Sequence, residues 1–128
     1  GTLLDGRQFN LSQHRGKIVV LYFYTTWRST CVSSVQVFDE LADKFGKDKV
    51  LVLGICLDNT LDECRRFVLE KKIRHPQLFA GPWTDSAVRK TFRVVDVPAV
   101  FIIDADGKIV QIDLFGRVLE NFIEGLLK

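Results

Sequence analysis

Cys31 is the residue of this chain best suited to covalent chemistry, and Trp27-Arg28-Ser29-Thr30-Cys31 is the segment that sets its surroundings. A cysteine attacks as the thiolate, so its reactivity depends on what stabilises the anion. Arg28 lies three residues upstream, and Cys31 begins a helical pattern, so a positive charge and a helix N-terminus both favour the thiolate. A dithiol site needs a second cysteine at this spacing, because one exposed thiolate attacks a substrate disulfide and its partner resolves the mixed disulfide. Arginine cannot attack. Cys31 therefore keeps two readings. It is a thiolate that forms a mixed disulfide with a small thiol or a partner protein, or it is a buried cysteine acting as a small apolar residue with its pKa raised.

The remaining groups offer less. Cys56 closes an apolar run and Cys64 falls on the apolar face of the following helix, so both read as core residues. A bridge between them would need Cα atoms within about 7 Å, which sequence does not fix. No Cys-x-x-Cys and no Cys-His pair at ligand spacing occurs, so neither a metal nor a cofactor is expected. His14, in Ser12-Gln13-His14-Arg15, and His75, in a loop before Pro76, are both expected at the surface.

The chain has 128 residues, 47% of them hydrophobic and 27% charged, which suits one globular domain with a real core. Eighteen basic against sixteen acidic residues leave a net charge of +2 without a run of like charges, which argues against a nucleic-acid or membrane-surface role. No apolar stretch approaches a membrane span. The absence of methionine points to a domain (1–128) excised from a longer chain, with any targeting or anchoring segment outside it. Three cysteines fit no closed disulfide framework.

Elements must position Cys31, and the pattern supplies them. Asp5-Gly6 predicts a tight turn in an N-terminal hairpin completed by Phe9 to Ser12. The run Ile18 to Tyr24 reads as a central strand buried on both faces, and Val50 to Leu57 as a second. Between them Val32, Val35, Phe38, Leu41, Ala42 and Phe45 recur at helical spacing, with Ser29 or Thr30 as N-cap and Gly46 as C-cap. Asp58, Asn59 or Thr60 caps a second helix whose core face is Leu61, Cys64, Phe67 and Val68. Residues 74–84 read as loop with an extended piece at Leu78 to Ala80, followed by a short helix from Asp85 to Phe92. Ala99 to Ile103 and Lys108 to Asp113 form a hairpin around Gly107, and an amphipathic helix spans about Val118 to Leu127. A mixed α/β sheet covered by helices on both faces accommodates this order.

The segment from Gly16 to Cys31 resembles the thiol-disulfide oxidoreductases of the TlpA and ResA type in the thioredoxin superfamily, related to the AhpC/TSA redoxins. Leu53 to Asp58, Gly81-Pro82-Trp83 and Val97 to Gly107 resemble the same family, so the resemblance covers nearly the whole chain. It implies a thioredoxin-like fold, exchange with protein or peptide thiols and disulfides, and a cis Val97-Pro98 bond facing the redox position. It also implies an extracytoplasmic setting, often with a membrane anchor.

Departures from the family pattern bear on activity. Relatives carry Trp-Cys-x-x-Cys-x-x-Glu-x-Pro, whereas this chain has Arg28, Cys31, Ser34 and Gln36 at those positions. Nucleophile, acidic helper and helix proline are replaced together, and Tyr22 stands where thioredoxins proper carry a buried carboxylate. Peroxiredoxins place a threonine three and a proline seven residues before their reactive cysteine, and here Arg28 and Tyr24 occupy those offsets from Cys31. The expectation is a degenerate site with at most single-cysteine chemistry at Cys31. The alternative is a non-enzymatic peptide-binding module around Trp27, Val97 and Pro98, in which Trp27, Tyr24, Trp83 and Phe101 either form an aromatic platform or are ordinary core and rim packing, the reading preferred for Phe101.

Overall fold

A computed structural model describes residues 1–128. Its five-stranded sheet has the order β3-β2-β1-β4-β5, with β1 (Ile18–Tyr24) at the centre. Both faces of β1 are buried along all seven residues, as an unbroken run of β-branched and aromatic side chains requires. β2 (Val50–Cys56) pairs parallel to β1, and β4 (Ala99–Ile103) pairs antiparallel on its other side. β3 (Gln77–Phe79) extends the sheet parallel to β2, and β5 (Ile109–Ile112) closes the opposite edge through the Gly107 turn, at φ 86°. This is a thioredoxin-like α/β fold, a mixed sheet flanked by helices.

α1 (Ser29–Phe45) buries Cys31, Val35, Phe38, Asp39 and Leu41 along one stripe and ends at Gly46, at φ 80°. Phe38 stacks on Tyr22 with ring centroids 4.0 Å apart, which seats α1 on the middle of β1. α2 (Leu61–Glu70) begins with a reciprocal capping box between Thr60 and Glu63, and its Phe67 packs on Tyr24 of the same sheet face. α4 (Gly116–Leu127) lies beside α1, joined by Lys44 to Glu120 and Glu124 at 3.0 and 2.9 Å. On the opposite face, Phe23 and Phe101 pack with Phe92, the residue that ends the short helix α3 (Ala87–Thr91). No helix is long and apolar enough to cross a membrane.

The N-terminal segment differs from expectation. Thr2 and Gln8 form an isolated antiparallel bridge, and Leu3 bridges to Leu78, but no second strand runs to Ser12. The Asn10 side chain accepts from Ser12 N at 3.1 Å and starts a 3-10 turn over Leu11–His14 instead. His14 stacks on Phe9 at 5.0 Å.

His75 is the larger correction: it is 6% exposed, not solvent-facing. Its Nδ1 bonds the Asp39 carboxylate of α1 and its Nε2 meets the Tyr22 hydroxyl, so the loop histidine fastens α1 to β1. Gln77 Nε2 donates to the Tyr22 oxygen at 3.1 Å, and Tyr24 donates to Gln77 Oε1 at 2.6 Å. Gly54 makes room for this cluster. It pairs with Tyr22 on one side and Gln77 on the other, and a Cβ there would lie 2.6 Å from both the Tyr22 hydroxyl and Gln77 Nε2.

Burial holds the His75 ring below its ordinary pKa of 6.5, outweighing the pull of Asp39. Burial alone would raise the Asp39 carboxyl, but hydrogen bonds from His75 and Arg74 take it below 3.8. Both folded-state values are depressed, so in each window the unfolded chain binds more protons. Stability is therefore expected to be full above about pH 6.5 and to fall on acidification, first through His75 and then, below about pH 4, through Asp39. The His75 contribution cannot exceed one proton, or about 1.4 kcal/mol per pH unit. Denaturant melts of wild type and His75→Gln between pH 8 and 5 check this, since the variant should lose the slope just below pH 6.5.

Candidate functional site

Residues 25–28 form the turn from β1 into α1, and one buried carboxylate, that of Asp58, holds it. Thr26 donates through its N–H and its hydroxyl to the two oxygens of Asp58, at 2.8 and 2.6 Å. Asp58 is fully buried just beyond β2, so the two loops at the C-terminal ends of the central strands are tied together. A third loop crosses here at Gly81, where a Cβ would collide with the Asp58 carbonyl, and Gly81-Pro82 is cis.

Arg28 is the N-cap of α1 and makes no side-chain cap; Ser29 and Thr30, expected as caps, lie inside the first turn. The guanidinium reaches outward, Nη2 lying 2.7 Å from Asp96 Oδ1. With side chains 48% and 67% exposed, this ion pair contributes under about 1 kcal/mol, and its effect is geometric. The same Asp96 oxygen accepts from the Val97 N–H at 2.9 Å, immediately before the cis Val97-Pro98 bond. One carboxylate thus links the start of α1 to the loop that leads into β4.

Cys31 sits at 0% exposure one turn inside the helix, its N–H bonded to the Arg28 carbonyl at 3.1 Å. Burial pushes its thiol pKa up, against hydrogen bonding from Thr25 and the Arg28 charge, which pull it down. The helix-terminus argument for a thiolate is therefore outweighed by desolvation. The exposed position carries a group that cannot attack, and the thiol that could attack lies behind it.

Trp27 is 54% exposed beside this turn, whereas Val97 is buried. Trp83 follows the Gly81-Pro82 bond, its ring under the Arg89 guanidinium at 4.7 Å. Tyr24 is fully buried and Phe101 packs on the opposite face of the sheet, so neither belongs to a surface platform. The site thus gathers Trp27, Arg28, Cys31, Val97 and Pro98. Asp58 was read only as a candidate cap of α2, a role Thr60 takes, and Asp96 escaped the sequence reading, although an acidic residue directly before Val97-Pro98 was the available signal. Cys56 and Cys64 are free thiols, both fully buried.

Residues 2–112 match the AhpC/TSA family. The thiol-disulfide oxidoreductase ResA of Bacillus thuringiensis subsp. konkukian is 28% identical over 127 residues, covering 99% of this chain and 71% of that protein. Among solved structures, the thioredoxin domain of a thiol-disulfide oxidoreductase from Bacteroides vulgatus superposes with a TM-score of 0.89 at 23% identity. It covers 100% of this chain and 91% of that one. A thiol-disulfide isomerase from Corynebacterium glutamicum gives 0.88 at 20% identity, covering 99% and 91%. Both structural likenesses bear on the fold.

Proposed function

The chain belongs to the AhpC/TSA family, as a thioredoxin-like thiol-disulfide oxidoreductase domain, and from that footing we propose that its own site no longer performs dithiol exchange. We read residues 1–128 as a single domain that keeps the family's peptide-holding surface around Trp27, Val97 and Pro98. One observation carries the reading: the sole thiol at the site, Cys31, is fully buried, while the exposed place upstream holds Arg28 in an ion pair with Asp96. An exposed indole beside a cis-proline loop suits an extended peptide. Binding such a peptide at the Val97 backbone would first release its N–H from Asp96. The partner class is a protein or peptide of the kind the relatives' names imply, one bearing thiols or disulfides.

Single-cysteine chemistry at Cys31 is the second reading, favoured by its place in the first turn of α1 and by the Arg28 charge. One measurement tests both readings together and a second separates them. The native domain, supplied with a dithiol donor, is expected to reduce protein disulfides no faster than the donor alone, because one thiol cannot release itself from a mixed disulfide. Thiol reagent is expected to modify Cys31 in the folded protein at least about tenfold more slowly than in the unfolded chain. Fast modification of Cys31 would establish the second reading, and turnover surviving Cys56→Ser and Cys64→Ser would overturn both.

A further inference from the structure

We propose, building on the peptide-holding reading of Trp27, Val97 and Pro98, that Arg28 makes this surface selective for an acidic side chain, and that Asp96 is the internal carboxylate such a peptide displaces. The molecule already holds an anion here. Asp96 Oδ1 lies 2.7 Å from Arg28 Nη2 and accepts from the Val97 N–H at 2.9 Å. A guanidinium at the start of α1 and a backbone donor from the loop before β4 thus converge on one carboxylate oxygen. Its side chain is mostly exposed, so Asp96 can turn out to water without leaving a buried charge.

The charges around Arg28 favour an incoming anion. α1 runs for seventeen residues with no side-chain cap and no acidic residue in its first turn, so its positive end adds to the guanidinium. Cys31 brings no negative charge, because burial raises its pKa and keeps the thiol protonated. Asp58 does not compete for Arg28 either, since Thr26 occupies both of its oxygens. Asp96 is therefore the carboxylate to be exchanged.

The neighbours of the ion pair suit a peptide better than a small carboxylate. Trp27, 54% exposed, directly precedes Arg28, and Val95, 86% exposed, directly precedes Asp96. Each member of the ion pair thus has an exposed apolar side chain beside it in the chain, offering contact to apolar residues that flank an acidic one. One Asp96 oxygen stands in for two groups of the ligand. On binding, a main-chain carbonyl of the extended peptide takes the Val97 N–H, and the acidic side chain takes Arg28. One carboxylate replaces another, so the charge at the site is unchanged.

An array of capped nonapeptides with Glu, Gln or Lys at the centre and varied apolar residues on both sides tests this. It is probed with labelled wild-type, Asp96→Ala, Asp96→Asn and Arg28→Ala proteins whose melting temperatures have been compared. Freed of its internal competitor, Asp96→Ala should retain Glu-centred peptides at least about fivefold more than their Gln-centred twins, the ratio one exposed ion pair supplies. Lys-centred peptides should not be retained. Wild type should show the same preference at lower occupancy, because a tethered carboxylate competes at high effective concentration. Asp96→Asn keeps an acceptor for the Val97 N–H and loses the charge, so it should fall between the two. Arg28→Ala should hold the Glu and Gln twins equally. Equal retention of the twins by Asp96→Ala, or a Glu preference that survives Arg28→Ala, would overturn the selectivity and leave the peptide-holding surface standing. If none of the folded proteins retains any peptide of the array, the peptide-holding surface itself is wrong and the selectivity falls with it.

Discussion

Arg28→Cys is expected to create a disulfide with Cys31 under mild oxidation and to bring disulfide reductase activity at least about tenfold above the wild-type background, the equivalent of roughly 1.4 kcal/mol. The Arg28 carbonyl accepts from Cys31 N at 3.1 Å, so the two residues face each other across the first turn of α1. That separation suits a disulfide, whose Cα atoms usually lie about 5.5 Å apart. The upstream cysteine would be exposed, because Arg28 is, and the helix N-terminus would favour its thiolate. Losing the exposed ion pair to Asp96 costs under about 1 kcal/mol, so the fold should persist. Activity should stay weak, since Ser34, one turn beyond Cys31, donates its hydroxyl to Thr30 O and carries no exchangeable charge. Peptide mapping of the oxidised variant and a protein-disulfide reduction assay check both halves. If the cysteines stayed unlinked in a folded protein, the equivalence of Arg28 with the family's nucleophile would be wrong.

The largest loss of stability is expected from Asp39→Ala, about 3 kcal/mol and a Tm lower by roughly 10 °C. Asp39 Oδ1 accepts from the N–H groups of Arg74 and His75, both at 3.0 Å, and its carboxylate fixes the His75 ring. Truncation leaves these donors unpaired in a nearly closed space, and water reaches them poorly. The loss also frees the ring that Tyr22 depends on, so the damage extends to the packing of α1 on β1. Asp39→Asn keeps one acceptor oxygen and should lose less than half as much. Urea melts at pH 7 measure the difference, and an Asp39→Ala protein within 1 kcal/mol of wild type would refute this account of the network.

Elements written in hydrophobic period were legible in the chain itself. β1 and β4 have the bounds their apolar runs predict, and α1 ends at its glycine, because burial on two faces or along one stripe is a local pattern. That arginine stands three residues before Cys31 was equally legible, since residue identity at one spacing is a fact of sequence. The cap of α1 was not. Ser29 and Thr30 have the right chemistry, but beyond the turn tied down by Asp58 the cap falls one residue sooner, at Arg28, and the helix begins at Ser29.

His75 marks the limit most clearly, because a histidine before a proline in a loop carries no periodicity that reports its burial. Its position follows from β3 placing Gln77 beside Gly54, and from β1 aiming two tyrosines at the gap that the glycine leaves. The reactivity of Cys31 was decided at the same level. Sequence supplied a thiol, a neighbouring charge and a helix terminus, all of which favour the anion. Only packing supplied the desolvation that opposes them, because water is excluded by residues distant in the chain.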